Sequence, residues 1–267
     1  MRESSRITGA TARPVAPYIG GKRNLARRLA ELIDAEPHDL YVEPFVGMAG
    51  VFLARRRVPP IEVINDISAD VATLFRILQR HYQAFLDMLR WQVTSREHFE
   101  RLRAANPDSL TDLERAARFL YLQRTTWGGK VMGRTFGVSS TSPARFNFMK
   151  LEPMLAALHE RLAGVIIERL PYAELMARYD RPGALFYADP PYWASEDYYG
   201  PVWSREEFGR LAEALRCLKG RWILSINDVP EIRQLFSWAS IEAIETTWST
   251  GGAQKGRVGE LIIRTRQ

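Results

Sequence analysis

A doubly wound α/β fold built on a mostly parallel sheet is predicted by two features of this sequence. Short apolar runs alternate with segments of helical period, and the runs near residues 46, 64, 188 and 226 each end in a turn carrying an acid or glycine. In such a sheet, ligands bind outside the carboxyl ends of the strands, so these turns are where chemistry is expected. The 267 residues suffice for one large domain or one domain with an insert. With 46% hydrophobic and 25% charged residues the composition is globular, which excludes collagen-like, disordered and disulfide-scaffold classes. No apolar run approaches the roughly 18 residues a membrane helix needs, and no signal peptide opens the chain, so a cytoplasmic protein is expected. Cys217 is alone, and His38, His81, His98 and His159 lack ligand spacing; no metal is expected.

Taken in order, Leu25 to Ile33 reads as a basic amphipathic helix, and Leu40 to Val46 as a strand closed by Gly47-Met48-Ala49-Gly50. A helix over Val51 to Arg57 is broken by Pro59-Pro60, and Ile61 to Ile64 forms a second strand ending in Asn65-Asp66. Ser68 is placed to cap the next helix, and apolar residues recur at helical spacing to about Ala105, with Trp91 and His98 read as packing residues. Strand character returns at Gly164 to Leu170, Ala184 to Ala188 and Arg221 to Ile226. Ser204 and Glu207 have the spacing of a capping box opening a helix to Leu218. Two closing strands, about 240 to 248 and 258 to 264, flank the Gly-rich segment Gly251 to Gly256 and are spaced to pair as a hairpin.

Formal net charge is +6, and two segments carry it. Residues 115 to 150 hold Arg115, Arg118, Arg124, Lys130, Arg134, Arg145 and Lys150 without one acid, interleaved with Phe119, Tyr121, Trp127, Phe136, Phe146, Phe148 and four glycines. Cations neutralise phosphates, aromatic rings stack or wedge between bases, and glycine admits close backbone approach, so a polyanionic partner is favoured over a merely solvated face. The basic, Ser/Thr-containing amino terminus reads as a flexible tail over 1–16; its composition also resembles a transit peptide.

Three strand ends carry the candidate chemistry: Glu43 to Gly50, Asp66, and Asp189-Pro190-Pro191-Tyr192. A glycine turn after one strand and an acid nineteen residues on, from Gly47 to Asp66, is a nucleoside-binding arrangement in which the carboxylate takes ribose hydroxyls. Taken alone, that spacing is a weak signal. Asp-Pro-Pro-Tyr adds a rigid turn whose prolines supply no N–H, leaving carbonyls free to accept. An adenine amine donates its electron pair into the ring and is a poor nucleophile. A carboxylate and a backbone carbonyl accepting its two N–H bonds draw that nitrogen toward tetrahedral geometry and stabilise charge as a methyl group arrives. Tyr192 supplies a stacking face for a base that must leave the duplex to reach it.

Together these motifs resemble the Dam-like, alpha-group family of DNA adenine-N6 methyltransferases, including its prophage-type orphan members. Tyr18-Ile19-Gly20-Gly21-Lys22 resembles the family's amino-terminal element, Val42 to Gly47 its first S-adenosylmethionine motif, Asn65-Asp66 its ribose-binding acid, and Asp189 to Tyr192 its catalytic motif. The resemblance runs from residue 17 to about 264. It implies a Rossmann-like class I methyltransferase sheet with a small, mostly helical target-recognition insert. It divides the chain into a cofactor part (17–82), a DNA-binding insert (83–150) and a catalytic part (151–267). S-adenosylmethionine is the implied cofactor and double-stranded DNA the implied partner. Tyr18, Lys22, Glu43, Phe45, Gly47, Asp66 and Asp189 fall at the cofactor site; Asp189, Pro190 and Tyr192 are the catalytic set. From the basic window, Arg124, Lys130, Arg134 and Arg145 are the candidate DNA contacts.

Two positions depart from the family pattern: Ala49, where a second glycine is usual, and Pro171-Tyr172, where a polar or acidic residue is common. The competing functions are methylation of RNA adenine or of cytosine N4, and a non-catalytic DNA-binding protein on the same scaffold; a Rossmann dehydrogenase lacks its Gly-x-Gly-x-x-Gly fingerprint here. Asp before Pro-Pro-Tyr argues for adenine within the family pattern. No nuclease motif is present.

Overall fold

The central strands of the sheet are apolar runs covered on both faces by helices, which is why their burial is nearly continuous rather than alternating. The computed structural model describes residues 6–7, 12–18, 20–22, 24–137, 141, 143–194, 203–247 and 257–266. The amino-terminal part runs β1 (Arg6–Ile7), α1 (Ala26–Ala35), β2 (Leu40–Glu43), α2 (Gly50–Ala54), β3 (Arg57–Val58), β4 (Ile61–Asn65) and α3 (Ala69–Arg80). Helices α4 (Tyr82–Arg90), α5 (Arg96–Ala104), α6 (Asp112–Thr125) and α7 (Phe148–Arg161) follow. The chain then forms β5 (Ile166–Glu168), α8 (Tyr172–Tyr179), β6 (Ala184–Ala188), α9 (Arg205–Cys217), β7 (Arg221–Asn227), α10 (Pro230–Leu235), β8 (Ser240–Thr247) and β9 (Arg257–Arg264).

The seven-stranded sheet has the order β5-β4-β2-β6-β7-β9-β8. Its first five strands are parallel, and β8 and β9 form the expected antiparallel hairpin, with β9 inserted beside β7. Side chains alternate between two cores, as a two-residue period requires. Tyr41, Ile64, Leu185, Tyr187, Ile223 and Ile262 point to the face covered by α3, α6 and α7. Val42, Val63, Phe186, Leu224, Leu261 and Ile263 point to the face that also holds residues of α8, α9 and α10. The helices between residues 83 and 150 do not build a separate core: Phe99, Leu120 and Leu151 belong to the same cluster as Tyr41 and Ile262.

Several sequence expectations change. The helix expected over Val51 to Arg57 stops at Ala54, and Arg57–Val58 pairs antiparallel with Arg6–Ile7. Of the segment 1–16 expected as a flexible tail, the last part is corrected, since Ala12, Val15 and Ala16 are buried in the core; residues 1–5 and 8–11 lie outside the described residues. Trp91, expected to pack, is 80% exposed at the end of α4, whereas His98 does pack, its ring 4.8 Å from Tyr121. Ser204 makes no cap bond because its hydroxyl donates to Glu206, while Glu207 accepts from the Tyr172 hydroxyl at 2.9 Å. The capping box forms instead at Thr111 and Glu114. Asp66, not the Ser68 side chain, caps α3 by accepting the Ser68 N–H at 2.9 Å. Ile19, Arg23 and the Gly-rich segment 251–256 lie outside the described residues.

Candidate active site

The chain leaves β2 to build β4 and β5 on one side, then returns to place β6 on the other, so the topological switch lies between β2 and β6. Glu43 ends β2 and Asp189 follows β6, which brings both acids to that crevice; Asp66 follows β4 next to it. Two asparagines hold the turns. Asn65 donates to the Pro44 carbonyl at 2.8 Å and the Leu170 carbonyl at 3.1 Å, tying the turn after β2 to the loop before α8. Asn227, at the end of β7, accepts the Trp193 N–H at 2.9 Å and donates to the Trp193 carbonyl at 3.1 Å, which fixes the exit of the Asp-Pro-Pro-Tyr turn.

Lys22 lies in the segment before α1, its carbonyl accepting the Leu25 and Ala26 N–H groups, and its buried side chain reaches into the crevice. Its Nζ lies 2.7 Å from Asp189 Oδ1 and 2.9 Å from Glu260 Oε1, and donates to the Tyr192 hydroxyl at 2.5 Å. The Tyr192 hydroxyl in turn donates to Glu260 Oε2. Burial opposes the Lys22 charge, yet Asp189, Tyr192 and Glu260 hold its pKa well above the ordinary lysine value. Ser225 donates to the same Asp189 Oδ1 at 3.2 Å and is bonded to the Tyr187 hydroxyl at 2.7 Å. Asp189 Oδ2 and the Pro190 carbonyl accept no hydrogen bond among the described residues. The Asp189 side chain keeps 19% of its surface exposed. Desolvation pushes its pKa up to about 6, against the pull of Lys22.

Beside this cluster, Glu43 is buried and accepts the Tyr41 hydroxyl at 2.6 Å. Burial raises its pKa to about 8, so it holds a proton at neutral pH. Asp66 accepts the Gly47 N–H at 3.0 Å and the Ser68 N–H at 2.9 Å; burial lifts it to about 6 against those two bonds. Gly47 sits at φ +49°, and a Cβ there would lie 3.2 Å from the Tyr18 ring, so glycine permits the contact between the two motifs. Ala49 also adopts a left-handed conformation, φ 61°, where the family pattern has glycine. Phe45 faces an aromatic wall, its ring centroid 5.5 Å from those of both Tyr172 and Trp203. Tyr172 thus lines this wall at one of the two places where the chain departs from the family pattern, which commonly has a polar or acidic residue there.

The basic window is arranged differently. Arg124 donates to the carbonyls of Val15 at 2.6 Å and Arg145 at 3.2 Å, and burial lowers its pKa. Arg134 is buried and donates to the Lys130 carbonyl and to Gln123, both at 3.3 Å. Arg145 donates to the Thr126 carbonyl at 3.1 Å and lies 4.8 Å from the Trp127 ring centroid. Lys130 is exposed. Gln123 donates to the carbonyls of Pro17 at 2.8 Å and Gly129, joining this loop to the Tyr18 segment. The window therefore packs against the crevice, with Lys130 and Trp127 at its surface.

Sequence reasoning singled out neither Glu260 nor Ser225 nor Trp203 as site residues. A signal existed for the first two, because each is a lone polar residue in an apolar strand run, a placement that is costly unless the group is bonded. Among the described residues, no cluster of three or more His, Cys, Asp or Glu side chains is arranged to hold a metal, and no helix is long and apolar enough to cross a membrane.

The model of the D12 class N6 adenine-specific DNA methyltransferase family matches residues 18–250. The chain is 24% identical over 271 residues to the Type II methyltransferase M1.LlaDCHI of Lactococcus lactis subsp. cremoris, covering 94% of each protein. It is 28% identical over 182 residues to the DNA adenine methylase of Serratia marcescens, covering 66% of this chain and 65% of that one. Against the DNA N-6-adenine-methyltransferase of Escherichia phage P1 it is 24% identical over 239 residues, covering 84% of this chain and 31% of the phage protein.

Proposed function

Because the chain belongs to the D12 class of N6 adenine-specific DNA methyltransferases and transfers a methyl group from S-adenosylmethionine to adenine N6 in DNA, we propose that Asp189, Pro190 and Tyr192 form its catalytic centre. The observation that carries this assignment is the state of Asp189: Oδ1 is pinned by Lys22 and Ser225, while Oδ2 accepts no hydrogen bond among the described residues, and the Pro190 carbonyl follows on the next residue of the turn. Two acceptors on a rigid turn match the two N–H bonds of an adenine amine. Accepting both withdraws the nitrogen's electron pair from the ring and stabilises the positive charge that develops on N6. The Tyr192 ring offers the target base a face, which requires the base to leave the duplex.

The crevice fits the cofactor by the chemistry of its groups. Asp66 is a half-buried carboxyl that can accept ribose hydroxyls, Glu43 is a buried carboxyl that desolvation holds toward its protonated form against the pull of Arg55, and Phe45, Tyr172 and Trp203 form an apolar wall of tilted and edge-on rings. When bound, S-adenosylmethionine supplies an electrophilic methyl group on a sulfonium. Asp66 would hold the ribose, Glu43 the ammonium of the methionine end, and Phe45 a face of the adenine. Tyr18 and Gly47 shape the turn between these groups, and Lys22 orients Asp189.

Residues 17–82 and 151–267 serve as cofactor and catalytic parts, and 83–150 as the part that grips double-stranded DNA. Lys130 meets a phosphate; Arg124, Arg134 and Arg145 brace the loop that presents it. Incubation with labelled S-adenosylmethionine and duplex DNA or RNA, followed by nucleoside analysis, tests the reading. Label in N6-methyladenine of duplex DNA is expected; label confined to RNA, or found as N4-methylcytosine, contradicts it.

A further inference from the structure

One buried acid touches the catalytic centre from inside the sheet. Glu260 lies on β9, fully buried, in a strand whose next residues are Leu261, Ile262 and Ile263. A carboxylate there costs several kcal/mol in lost hydration unless it is paired and bonded. Its two oxygens reach two different parts of the site: Oε1 is 2.9 Å from Lys22 Nζ, and Oε2 accepts the Tyr192 hydroxyl. Lys22 then carries the contact forward to Asp189 Oδ1 at 2.7 Å. Through Tyr192, Glu260 also fixes the ring itself, because the hydroxyl is held from both sides by Lys22 and Glu260.

We propose that Glu260 is a positioning residue for methyl transfer, which through Lys22 holds Asp189 by Oδ1 with Oδ2 open to the target amine, and through the Tyr192 hydroxyl sets the ring that receives the base. The inference rests on the reading of Asp189 as the amine acceptor. Charge gives it a readout that packing alone does not. Asp189 feels Lys22 from the segment before α1, Glu260 from β9 and Ser225 from β7; Tyr187 of β6, Tyr192 of its own turn and Glu43 of β2 interact with it as well. Lys22 stabilises its ionised form and Glu260 opposes it. Asp189 accepts as a carboxylate, so transfer falls as pH drops through about 6.

Glu260→Gln keeps the side chain's shape and removes the opposing charge. The acid limb of the single-turnover transfer rate then moves down by about 1 pH unit, and the plateau rate falls about tenfold with KM for DNA nearly unchanged, because the ring and Asp189 lose their fixed positions. A limb that stays in place or moves up overturns the proposal, whatever the rate does. Lys22→Met should move the limb the other way. Lys22→Met combined with Glu260→Gln removes the ion pair as a unit, the form most tolerant of burial, and keeps the test available if Glu260→Gln alone does not fold. Its limb should lie below that of Lys22→Met; coincident limbs overturn the proposal. Asp189→Asn separates the two levels. Undiminished transfer in that variant contradicts the reading of Asp189, whereas an inactive Asp189→Asn beside an unmoved Glu260→Gln limb contradicts only the role of Glu260.

Discussion

The crevice and the basic window spend charge in opposite ways. At the crevice, Lys22, Asp189 and Glu260 are brought inside the protein, and one carboxylate oxygen, Asp189 Oδ2, accepts no bond among the described residues. In the 115–150 window, cations that sequence assigns to phosphate turn inward: Arg118 donates to the Leu102 carbonyl at 2.6 Å, Arg124 to Val15, Arg134 to Lys130 and Arg145 to Thr126. A guanidinium carries five donors in a rigid fork and suits the capture of several carbonyls at once, whereas a lysine ammonium is a compact, strongly hydrated charge that stays in solvent. A count of positive residues thus overstates the charge that a duplex meets. Where an arginine is partly buried and carbonyl-bonded, its first duty is to shape the loop.

The largest effects should come from the crevice. Asp66→Ala removes the acceptor of the Gly47 and Ser68 N–H bonds and the proposed ribose partner; binding of S-adenosylmethionine should weaken about 10- to 100-fold, measured by calorimetry. Unchanged affinity would detach Asp66 from the cofactor. Arg124→Ala should lower folding stability by about 1.5–3 kcal/mol in denaturant titration, because the Val15 and Arg145 carbonyls lose a charged donor. A stable Arg124→Ala protein with weakened, less salt-sensitive DNA binding would return Arg124 to the interface.

Glu43 supplies a pH test. Its free-protein pKa is raised to about 8, and a neighbouring ammonium favours the ionised form, so cofactor binding should release a proton. Affinity then rises with pH by up to about tenfold per unit and levels off above about 8. The binding enthalpy should vary with the ionisation enthalpy of the buffer; no such variation would remove Glu43 from the ammonium site. Lys130→Ala should leave stability within about 0.5 kcal/mol and reduce the salt slope of DNA binding by about 1, the converse of Arg124→Ala. Trp91→Ala, at an 80% exposed position, should have the smallest effect on folding, within about 0.5 kcal/mol.

Much of the sheet was legible because each strand carries its own signal. Ala184 to Ala188 is an apolar run of strand length ended by Asp-Pro-Pro, and its bounds agree with β6. The acids at the strand ends were legible for the same reason, since a local pattern delivers each of them to the crevice. What the sequence concealed depends on contacts between distant segments. Ser204 and Glu207 satisfy a capping pattern, but Tyr172, thirty-five residues from Glu207, competes for the carboxylate. Trp91 is a large apolar residue of the kind that packs in cores, yet it follows the last residue of α4, Arg90, and lies on the surface. Glu260 meets Lys22 only because β9 inserts beside β7, a placement that no spacing along the chain encodes.

The role of Asp189 is tested most directly by single-turnover methyl transfer to duplex DNA, with wild type and Asp189→Asn each saturated with S-adenosylmethionine. Loss of the carboxylate charge should lower the rate by about 10²- to 10³-fold while cofactor affinity changes little, with N6-methyladenine the labelled nucleoside in the wild-type reaction. Transfer by Asp189→Asn at the wild-type rate would contradict the account.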